Sequence, residues 1–401
     1  MLDAYIYHGL RTPFGRHAGG LASVRPDDLM AGVIRKVVAD SGVLPASIED
    51  VIVGCGNQAG EDSRCVGRHA ALLAGLPADV GGLAVQRNCG SGLSAIIAAS
   101  HALTCGEGDM MVAGGVESMS RAPFVMGKAP AAYSRQMQIF DSAVGARFPN
   151  PRIEQEYGDD TMPQTADNLA ARHDIDREAC DAYALASQQR YAAAREAGFF
   201  DGEITPVSIP QRKGDPMVVS ADEHPRPQTA LAGLSRLKAL HAGGVTTAGN
   251  ASGINDGAVA LLIGSKSAGD RHGLKPRGRV IASAVAGVDP RFMGYGPVPA
   301  SQKALDRAGL SLEQLDVIEI NEAFAAQVLA CMKGLGLAAG DGRVNPNGGA
   351  IAVGHPLGAS GPRILLTALR ELERRQGRYA LATMCIGVGQ GIAVIIERVS
   401  P

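Results

Sequence analysis

The chain has 401 residues, of which 46% are hydrophobic and 19% are charged, and its net charge is −2. This length predicts about two to three domains with a sizeable core, and the balanced charge argues against nucleic acid as the main partner. No run of about 18 apolar residues occurs, so we expect no membrane span. The N-terminus lacks the features of a secretory signal, which favours a cytoplasmic protein.

The seven cysteines include no C-x-x-C pair, and the histidines do not cluster at the spacing of metal ligands. A structural metal site and a disulfide framework are therefore both disfavoured. We expect most of the cysteines to be small buried apolar residues of a reducing compartment. One or two of them are left as candidates for chemistry.

Short apolar runs alternate with helical patterns along most of the chain. The predicted helices and strands, in chain order, are Asp27–Ser41 (helix), Val51–Gly54 (strand), Leu93–Thr104 (helix), Asp109–Gly115 (strand), Pro299–Ala308 (helix), Val317–Asn321 (strand) and Arg378–Met384 (strand). This alternation predicts an α/β architecture with substantially parallel sheets. From about Pro123 to Gly244 the chain is richer in charge, glutamine and proline, with one long predicted helix at Thr165–Ala197. The segment is typical of a loop-rich insertion between two α/β halves.

The two halves resemble each other around two reactive residues. Leu83–Cys89 and Ala350–His355 both have the pattern of an apolar strand that ends at a reactive residue, before a small-residue turn and a helix. Each is followed by a further apolar strand that ends in glycines. We infer an internal duplication, which would place Cys89 and His355 at related strand-to-helix junctions facing one cleft.

Cys89 precedes Gly90–Gly92 and a predicted helix. Unpaired N–H groups and the helix dipole at that position favour a thiolate, so Cys89 is a candidate nucleophile. The alternative is a cysteine buried in a packing turn. His355 lies between Gly354 and Pro356, and a neutral imidazole there could act as the base for a thiol. The alternative is a histidine bonded to the backbone of a turn.

Two further segments carry candidate chemistry. Cys385 begins the glycine-rich segment Cys385–Gly391, where an accessible thiol could donate or accept a proton with a pKa near the working range. A packing role is the alternative. Asn321 follows the predicted strand and could orient a water or donate to an oxyanion. The alternative is a helix cap.

These motifs, together with Arg11–Gly15 and Gly249–Ala258, resemble those of the thiolase family in the same order and over essentially the whole chain. The resemblance implies an α/β fold in which two similar αβα halves form a five-layered αβαβα core with an inserted loop domain. We therefore expect an N-terminal half at 1–122, completed by about 252–273, a loop domain at 123–251 and a C-terminal half at 274–401. A homo-oligomer, either a dimer or a tetramer, is also expected.

The resemblance also implies a reaction, the CoA-dependent thiolytic cleavage of a 3-oxoacyl-CoA. His355 would take the proton of Cys89, whose thiolate would attack the 3-keto carbon. Cys385 would protonate the departing enolate of acetyl-CoA and later deprotonate coenzyme A. Asn321, through a water and together with His355, would stabilise the enolate oxygen, and the backbone N–H groups of Cys89 and Gly387 would stabilise the other oxyanion. Coenzyme A is then a co-substrate, and no permanently bound cofactor or metal is expected.

The same resemblance assigns the binding of the acyl-CoA to a set of residues in the insertion and the segments that follow it. They are Arg226 at the nucleotide end, Ala248 and Ser252 along the pantetheine, and Met162 and Phe324 as pocket walls.

Some positions depart from the usual family pattern. Asn88 stands where members commonly have leucine or phenylalanine. The segments at 161–168 and 383–391 most resemble members that convert 3-oxoadipyl-CoA to succinyl-CoA and acetyl-CoA in aromatic-acid catabolism. A dicarboxylic acyl chain would need a polar or basic pocket, for which Asn88, Arg135 and Arg147 are the candidates.

Four other functions remain open at this point. Two are thiolases, one for acetoacetyl-CoA in the condensing direction and one for general fatty-acid 3-ketoacyl-CoA. A third is a decarboxylating ketoacyl synthase, which the presence of Asn321 and Cys385 disfavours. The fourth is a non-catalytic acyl- or lipid-binding protein, which would be free to lose Cys89 and His355.

Overall fold

The computed structural model describes residues 2–399. Its strands are β1 Tyr5–Arg11, β2 Gly15–Arg16, β3 Asp50–Gly54, β4 Leu83–Val85, β5 Met110–Ser118, β6 Phe124–Met126, β7 Ile139–Asp141, β8 Val207–Ile209, β9 Met217–Val219, β10 Asn255–Gly264, β11 Gly278–Gly287, β12 Val317–Ile320, β13 Tyr379–Ile386 and β14 Gln390–Arg398. Its α-helices are α1 Pro26–Ser41, α2 Val66–Leu73, α3 Ser91–Cys105, α4 Pro151–Tyr157, α5 Met162–His173, α6 Arg177–Glu196, α7 Leu231–Leu234, α8 Lys266–Arg271, α9 Pro297–Ala308, α10 Ala325–Gly334, α11 Ala350–Val353 and α12 Leu357–Arg375. Short 3₁₀ helices lie at Pro45–Ser47, Pro290–Tyr295 and Leu312–Gln314. None of the helices described between residues 2 and 399 has both the length and the hydrophobicity to cross a bilayer.

A single mixed sheet runs through the molecule in the order β12-β13-β14-β11-β1-β10-β5-β3-β4, with β2 added beside β10. Strands β1 and β11 pair at only two positions, so this contact joins two halves of the sheet. The pairs β3–β4, β3–β5 and β12–β13 are parallel, but the remaining pairs are antiparallel. The expectation of substantially parallel sheets is therefore wrong for the centre of this sheet. There, β13 turns directly into its antiparallel neighbour β14, and β10, which follows the insertion, pairs antiparallel with β1 and β5.

Three apolar cores divide the fold into five layers, as the family resemblance implies. Side chains alternate along each strand, so that Met111 and Ala113 of β5 face the central core while Met110 and Val112 face an outer one. Helices α1 and α2 cover the outer face of the N-terminal half of the sheet. Helices α3 and α12 lie between the two halves, and α9 and α10 cover the outer face of the C-terminal half.

Glycines permit a very close approach in the central layer. A Cβ on Gly92 of α3 would lie 2.1 Å from the carbonyl oxygen of Gly358 in α12, and a Cβ on Gly115 of β5 would lie 1.9 Å from the same oxygen. Only residues without a side chain fit these positions. The N-terminal ends of α3 and α12 therefore meet, which brings together the residues that precede them.

The long helix predicted at Thr165–Ala197 is in fact two helices, α5 and α6. Asp174 ends the first in the left-handed conformation, with φ 51°. The side chain of Asp176 accepts a hydrogen bond from the backbone N–H of Ala179 and so begins the second. Aspartate suits both positions because its short carboxylate tolerates the left-handed region and satisfies free N–H groups at a helix start.

The segment before His355 is also not the strand that the apolar run suggested. Ala350–Val353 forms one helical turn, in which the N–H of Gly354 donates to the carbonyl of Ala350 at 2.8 Å. The N–H of Ile351 donates to the carboxylate of Glu322 instead of to a neighbouring strand. The proposed similarity of the two halves therefore holds for the turn and the helix but not for the residues that lead into them.

A buried arginine ties the first strand to the insertion. The Arg11 guanidinium is fully buried and bonds to Glu203 at 2.6 Å and to Asp222 at 2.6 and 2.9 Å. Asp222 also accepts bonds from the Phe14 N–H and the Tyr191 hydroxyl. All of these charges have hydrogen-bonding partners, as burial requires.

Replacing Asp222 by alanine should destabilise the fold, because Arg11 would keep its charge in the interior with Glu203 as its remaining close partner. We expect the free energy of unfolding to fall by about 3–5 kcal/mol in a urea titration. The control is Lys36→Ala, which breaks an exposed pair with Asp40 and should cost less than about 1 kcal/mol. Equal losses in the two variants would contradict this role of Arg11.

Candidate active site

A cavity of about 460 Å³ opens where the two halves and the insertion meet. It is lined by Cys89, Met119, Met162, Pro163, His224, Arg226, Leu240, Ala248, Ala251, Ser252, Gly253, Ile254, Met293, Ala323, Phe324, His355, Leu357, Cys385 and Gly387. Most of the surface is apolar. The polar groups are few and converge from different segments, as in enzyme pockets.

Cys89 lies in the turn between β4 and α3, one residue before the helix N-cap, Gly90. A Cβ on Gly90 would lie 2.5 Å from the Ile386 side chain, so a larger residue there would require Ile386 to shift. Burial raises the pKa of Cys89 to about 11 and outweighs the opposite effect of the backbone N–H of Gly387, which lies close to the sulfur. The expected stabilisation of a thiolate by the helix end is thus overcome by desolvation, and Cys89 needs a base.

His355 is oriented by two hydrogen bonds. Its backbone N–H donates to Asn255 at 3.0 Å, and its Nδ1 lies 2.6 Å from the Ser360 hydroxyl. The Ser360 hydroxyl also lies 2.9 Å from the carbonyl of Pro356, which can only accept a hydrogen bond. With the single Ser360 proton on that carbonyl, we assign His355 Nδ1 as the donor to Ser360. Nε2 then carries a free lone pair, and no described residue bonds to it.

The protonation state of His355 agrees with this tautomer. Burial, together with the positive charge of Arg363, lowers its pKa to about 4. The imidazole is therefore neutral near pH 7 and can accept a proton at Nε2. This lone pair belongs to a residue that lines the same cavity as Cys89.

Cys385 is the last residue but one of β13 and is 2% exposed, at the cavity wall. Burial and the nearby Cys89 raise its pKa well above the ordinary value. The expectation of a pKa near the working range is therefore wrong for the protein without ligand. Cys385 holds its proton firmly, which suits a donor to a strongly basic carbanion or enolate.

Asn321 lies directly after β12 and is fully buried. Its backbone N–H donates to the carbonyl of Thr383 at 2.9 Å, whereas neither atom of its side-chain amide has a partner among the described residues. The N-cap of α10 is Phe324, so Asn321 is not a helix cap. Asn321 itself does not line the cavity, although Ala323 and Phe324 do. A buried amide without partners can hold a water or a ligand atom.

The five residues assigned to acyl-CoA binding all line the cavity: Arg226, Ala248, Ser252, Met162 and Phe324. The N–H of Ser252 bonds to the carbonyl of Ala323 at 2.9 Å, which joins the segment after the insertion to the turn after Asn321. Arg226 is exposed at the rim of the cavity, and its backbone N–H donates to the side-chain oxygen of Gln188.

The three candidates for a polar acyl pocket do not line the cavity. Arg147 donates to the side chain and the backbone of Asn57 and so fixes its own loop, and Arg135 is exposed. Asn88 donates to the carbonyl of Gly387 at 3.2 Å instead of facing a ligand. The sequence alone could not predict where these three side chains lie. The partners of Arg147 and Asn88 are far away in the chain, and Arg135 faces solvent.

The structure adds lining residues that the motifs did not single out. Met119, Met293 and Leu357 make the inner wall apolar, and His224 stands beside Arg226 on the same loop. Burial, followed by the charge of Arg226, lowers the pKa of His224 to about 4, so its ring is neutral. In the sequence, only the position of His224 close to Arg226 could have indicated that it lines the cavity.

A group of possible metal ligands lies outside the cavity. Cys55, Asp62 and Glu117 are buried with their ligand atoms within 4.8 Å of one another. The Cys55 thiol donates toward both carboxylates, at 3.6 and 3.8 Å. Glu117 also accepts bonds from the N–H groups of Gly56, Asn57 and Gly358. The carboxylate lone pairs are thus already used by the protein.

Comparisons with known proteins agree with this geometry. Residues 4–267 match the family model described as thiolase, N-terminal domain, and residues 274–398 match thiolase, C-terminal domain. The chain is 58% identical to a beta-ketoadipyl-CoA thiolase of Acinetobacter baylyi, with all of both chains covered. It is 56% identical to a 3-oxoadipyl-CoA/3-oxo-5,6-dehydrosuberyl-CoA thiolase of Escherichia coli, again with full coverage of both. The solved human mitochondrial 3-ketoacyl-CoA thiolase in complex with CoA is similar, with a TM-score of 0.91 at 39% identity, covering 100% of this chain and 98% of that one.

Replacing Ser360 by alanine should lower the reactivity of Cys89, because His355 would lose the partner that fixes its ring and its tautomer. We expect iodoacetamide to alkylate Cys89 about tenfold more slowly at pH 8, measured by mass spectrometry of the Cys89 peptide. The matched control is Ser100→Ala in α3, since Ser100 is also buried and donates to the carbonyl four residues before it, that of Ile96. Equal slowing in both variants would contradict the positioning role of Ser360.

Proposed function

Since the chain belongs to the thiolase family and is therefore an acyltransferase, we propose that it cleaves 3-oxoadipyl-CoA with coenzyme A, forming succinyl-CoA and acetyl-CoA. One observation carries the chemistry: two cysteines and the free Nε2 lone pair of a neutral histidine meet in one cavity. The names of relatives at 56 and 58% identity support the choice of acyl chain.

In the proposed first half of the reaction, His355 accepts the Cys89 proton at Nε2 and the thiolate attacks the 3-keto carbon. The bond between C2 and C3 then breaks, which leaves the acyl group on Cys89 and an enolate of acetyl-CoA. Asn321, through a water, and protonated His355 stabilise the enolate oxygen. Cys385 donates its proton to the enolate carbon, and acetyl-CoA leaves.

In the second half, the Cys385 thiolate takes the proton of coenzyme A, whose sulfur attacks the acyl–Cys89 thioester. The backbone N–H groups of Cys89 and Gly387, which already act on the Cys89 sulfur, stabilise the tetrahedral oxyanion. Such fixed donors are effective because they need no reorganisation as charge develops, and losing one commonly costs about 10²–10³ in rate. Collapse of the intermediate releases the shortened acyl-CoA and the Cys89 thiolate, which takes its proton back from His355 Nε2.

Coenzyme A is a co-substrate in this proposal, and the enzyme needs no permanently bound cofactor or metal. Arg226 would meet the nucleotide end, Ala248 and Ser252 the pantetheine, and Met162 and Phe324 the walls around the reacting carbons. A cytoplasmic location and a homo-oligomeric state, either a dimer or a tetramer, belong to the same proposal as expectations from the family.

The cavity wall is mostly apolar. The choice of a dicarboxylic acyl chain is therefore the part of the proposal that most needs a test. We expect kcat/KM for thiolysis of 3-oxoadipyl-CoA to exceed that of acetoacetyl-CoA by about 100-fold, or about 2.7 kcal/mol of transition-state discrimination. Cys89→Ser should lose activity on both substrates, whereas Cys105→Ser, at an exposed cysteine, serves as the control.

Equal rates, or a preference for acetoacetyl-CoA, would overturn the acyl-chain assignment and leave the thiolase chemistry in place. Activity that survives in Cys89→Ser would overturn the proposed nucleophile.

A further inference from the structure

The turn that carries the Gly387 N–H contains a strained residue. Strand β13 ends at Ile386 and β14 begins at Gln390, so three residues make the connection. Val388, in the middle, has φ 69° and is 62% exposed. A β-branched residue is disfavoured in this left-handed region, and such a conformation persists only where the surroundings hold it.

Asn88 holds the first residue of this turn. Its side-chain Nδ2 donates to the carbonyl of Gly387 at 3.2 Å, while its Oδ1 accepts from Gln86 Nε2 at 3.1 Å. The bond from Gln86 fixes which end of the amide faces Gly387, because only the oxygen can accept it. Asn88 itself has φ 44°, which asparagine tolerates far better than leucine or phenylalanine.

The neighbouring residues hold the other end of the same turn. Arg87 Nη1 donates to the side chain of Gln390 at 3.0 Å, and the N–H of Val288 donates to the carbonyl of Gly389 at 2.8 Å. The residues directly before the nucleophile, 86–88, therefore form hydrogen bonds at both ends of the turn. A hydrogen bond at the Gly387 carbonyl fixes the orientation of the turn whose first N–H faces Cys89.

We propose that Asn88 is a positioning residue that clamps the strained 387–389 turn, so that the Gly387 N–H stays aimed at Cys89 and at the oxyanion formed there. This rests on the proposed function, in which that N–H stabilises the oxyanion. It replaces a substrate-contact role for Asn88, whose amide bonds to Gly387 and Gln86.

The test is a double-mutant cycle of Asn88→Gly and Val388→Gly. Glycine at position 88 keeps the left-handed backbone accessible and removes only the amide, and glycine at position 388 removes the strain that the clamp opposes. Two quantities are measured: kcat for thiolysis, and the pH at which iodoacetamide alkylation of Cys89 is half-maximal.

We expect Asn88→Gly to lower kcat about tenfold, less than the about 10²–10³ that follows complete loss of an oxyanion donor. The alkylation midpoint should move to higher pH, because the Gly387 N–H would no longer favour the thiolate of Cys89. In the Val388→Gly background, the same substitution at Asn88 should lower kcat less than about threefold, since an unstrained turn depends less on the clamp.

Equal effects of Asn88→Gly in the two backgrounds would overturn the clamp, and so would an unchanged kcat and alkylation midpoint. If Asn88→Gly does not fold, Gln86→Ala removes only the bond that orients the amide and should shift both quantities in the same direction by a smaller amount. A wild-type enzyme without any thiolysis would refute the proposed function, and the alkylation midpoint would still decide on the clamp.

Discussion

The close contact between the N-terminal ends of α3 and α12 is the constraint on which the site depends. The absence of side chains at Gly92, Gly115 and Gly358 lets two helices and a central strand approach to distances that a single Cβ would block. Each helix is preceded by a turn, and these turns carry Cys89 and His355. The chemistry therefore lies at the crossing point of the central layer, where the backbones are packed most closely against one another.

Burial at this crossing has an electrostatic consequence. It raises the pKa of both thiols and lowers that of His355, so these three reacting groups are neutral before substrate arrives. Three neutral groups cost less to keep away from water than a thiolate–imidazolium pair. In the proposed reaction, charge appears on these groups only as bonds form and break, and the backbone N–H groups of Cys89 and Gly387 and the Nε2 atom of His355 would meet it.

Much of this arrangement could be predicted from sequence, because it depends on local patterns. A reactive residue followed by small residues and a helix places Cys89 and His355 at helix starts, and the family resemblance supplies part of the remaining lining. It does not single out Met119, Met293, Leu357 or His224. The failures have tertiary or single-residue causes. Asp174 breaks an amphipathic pattern that periodicity alone would continue. The side chains of Asn88 and Arg147 turn to protein partners that no local pattern reveals.

The central layer also determines what the two halves can do separately. The central apolar core draws residues from both family-matched segments, 4–267 and 274–398, and Cys89 belongs to the first while His355 and Cys385 belong to the second. Cutting the chain between β10 and β11 would leave each fragment with a large apolar face open to water and an incomplete set of reacting groups.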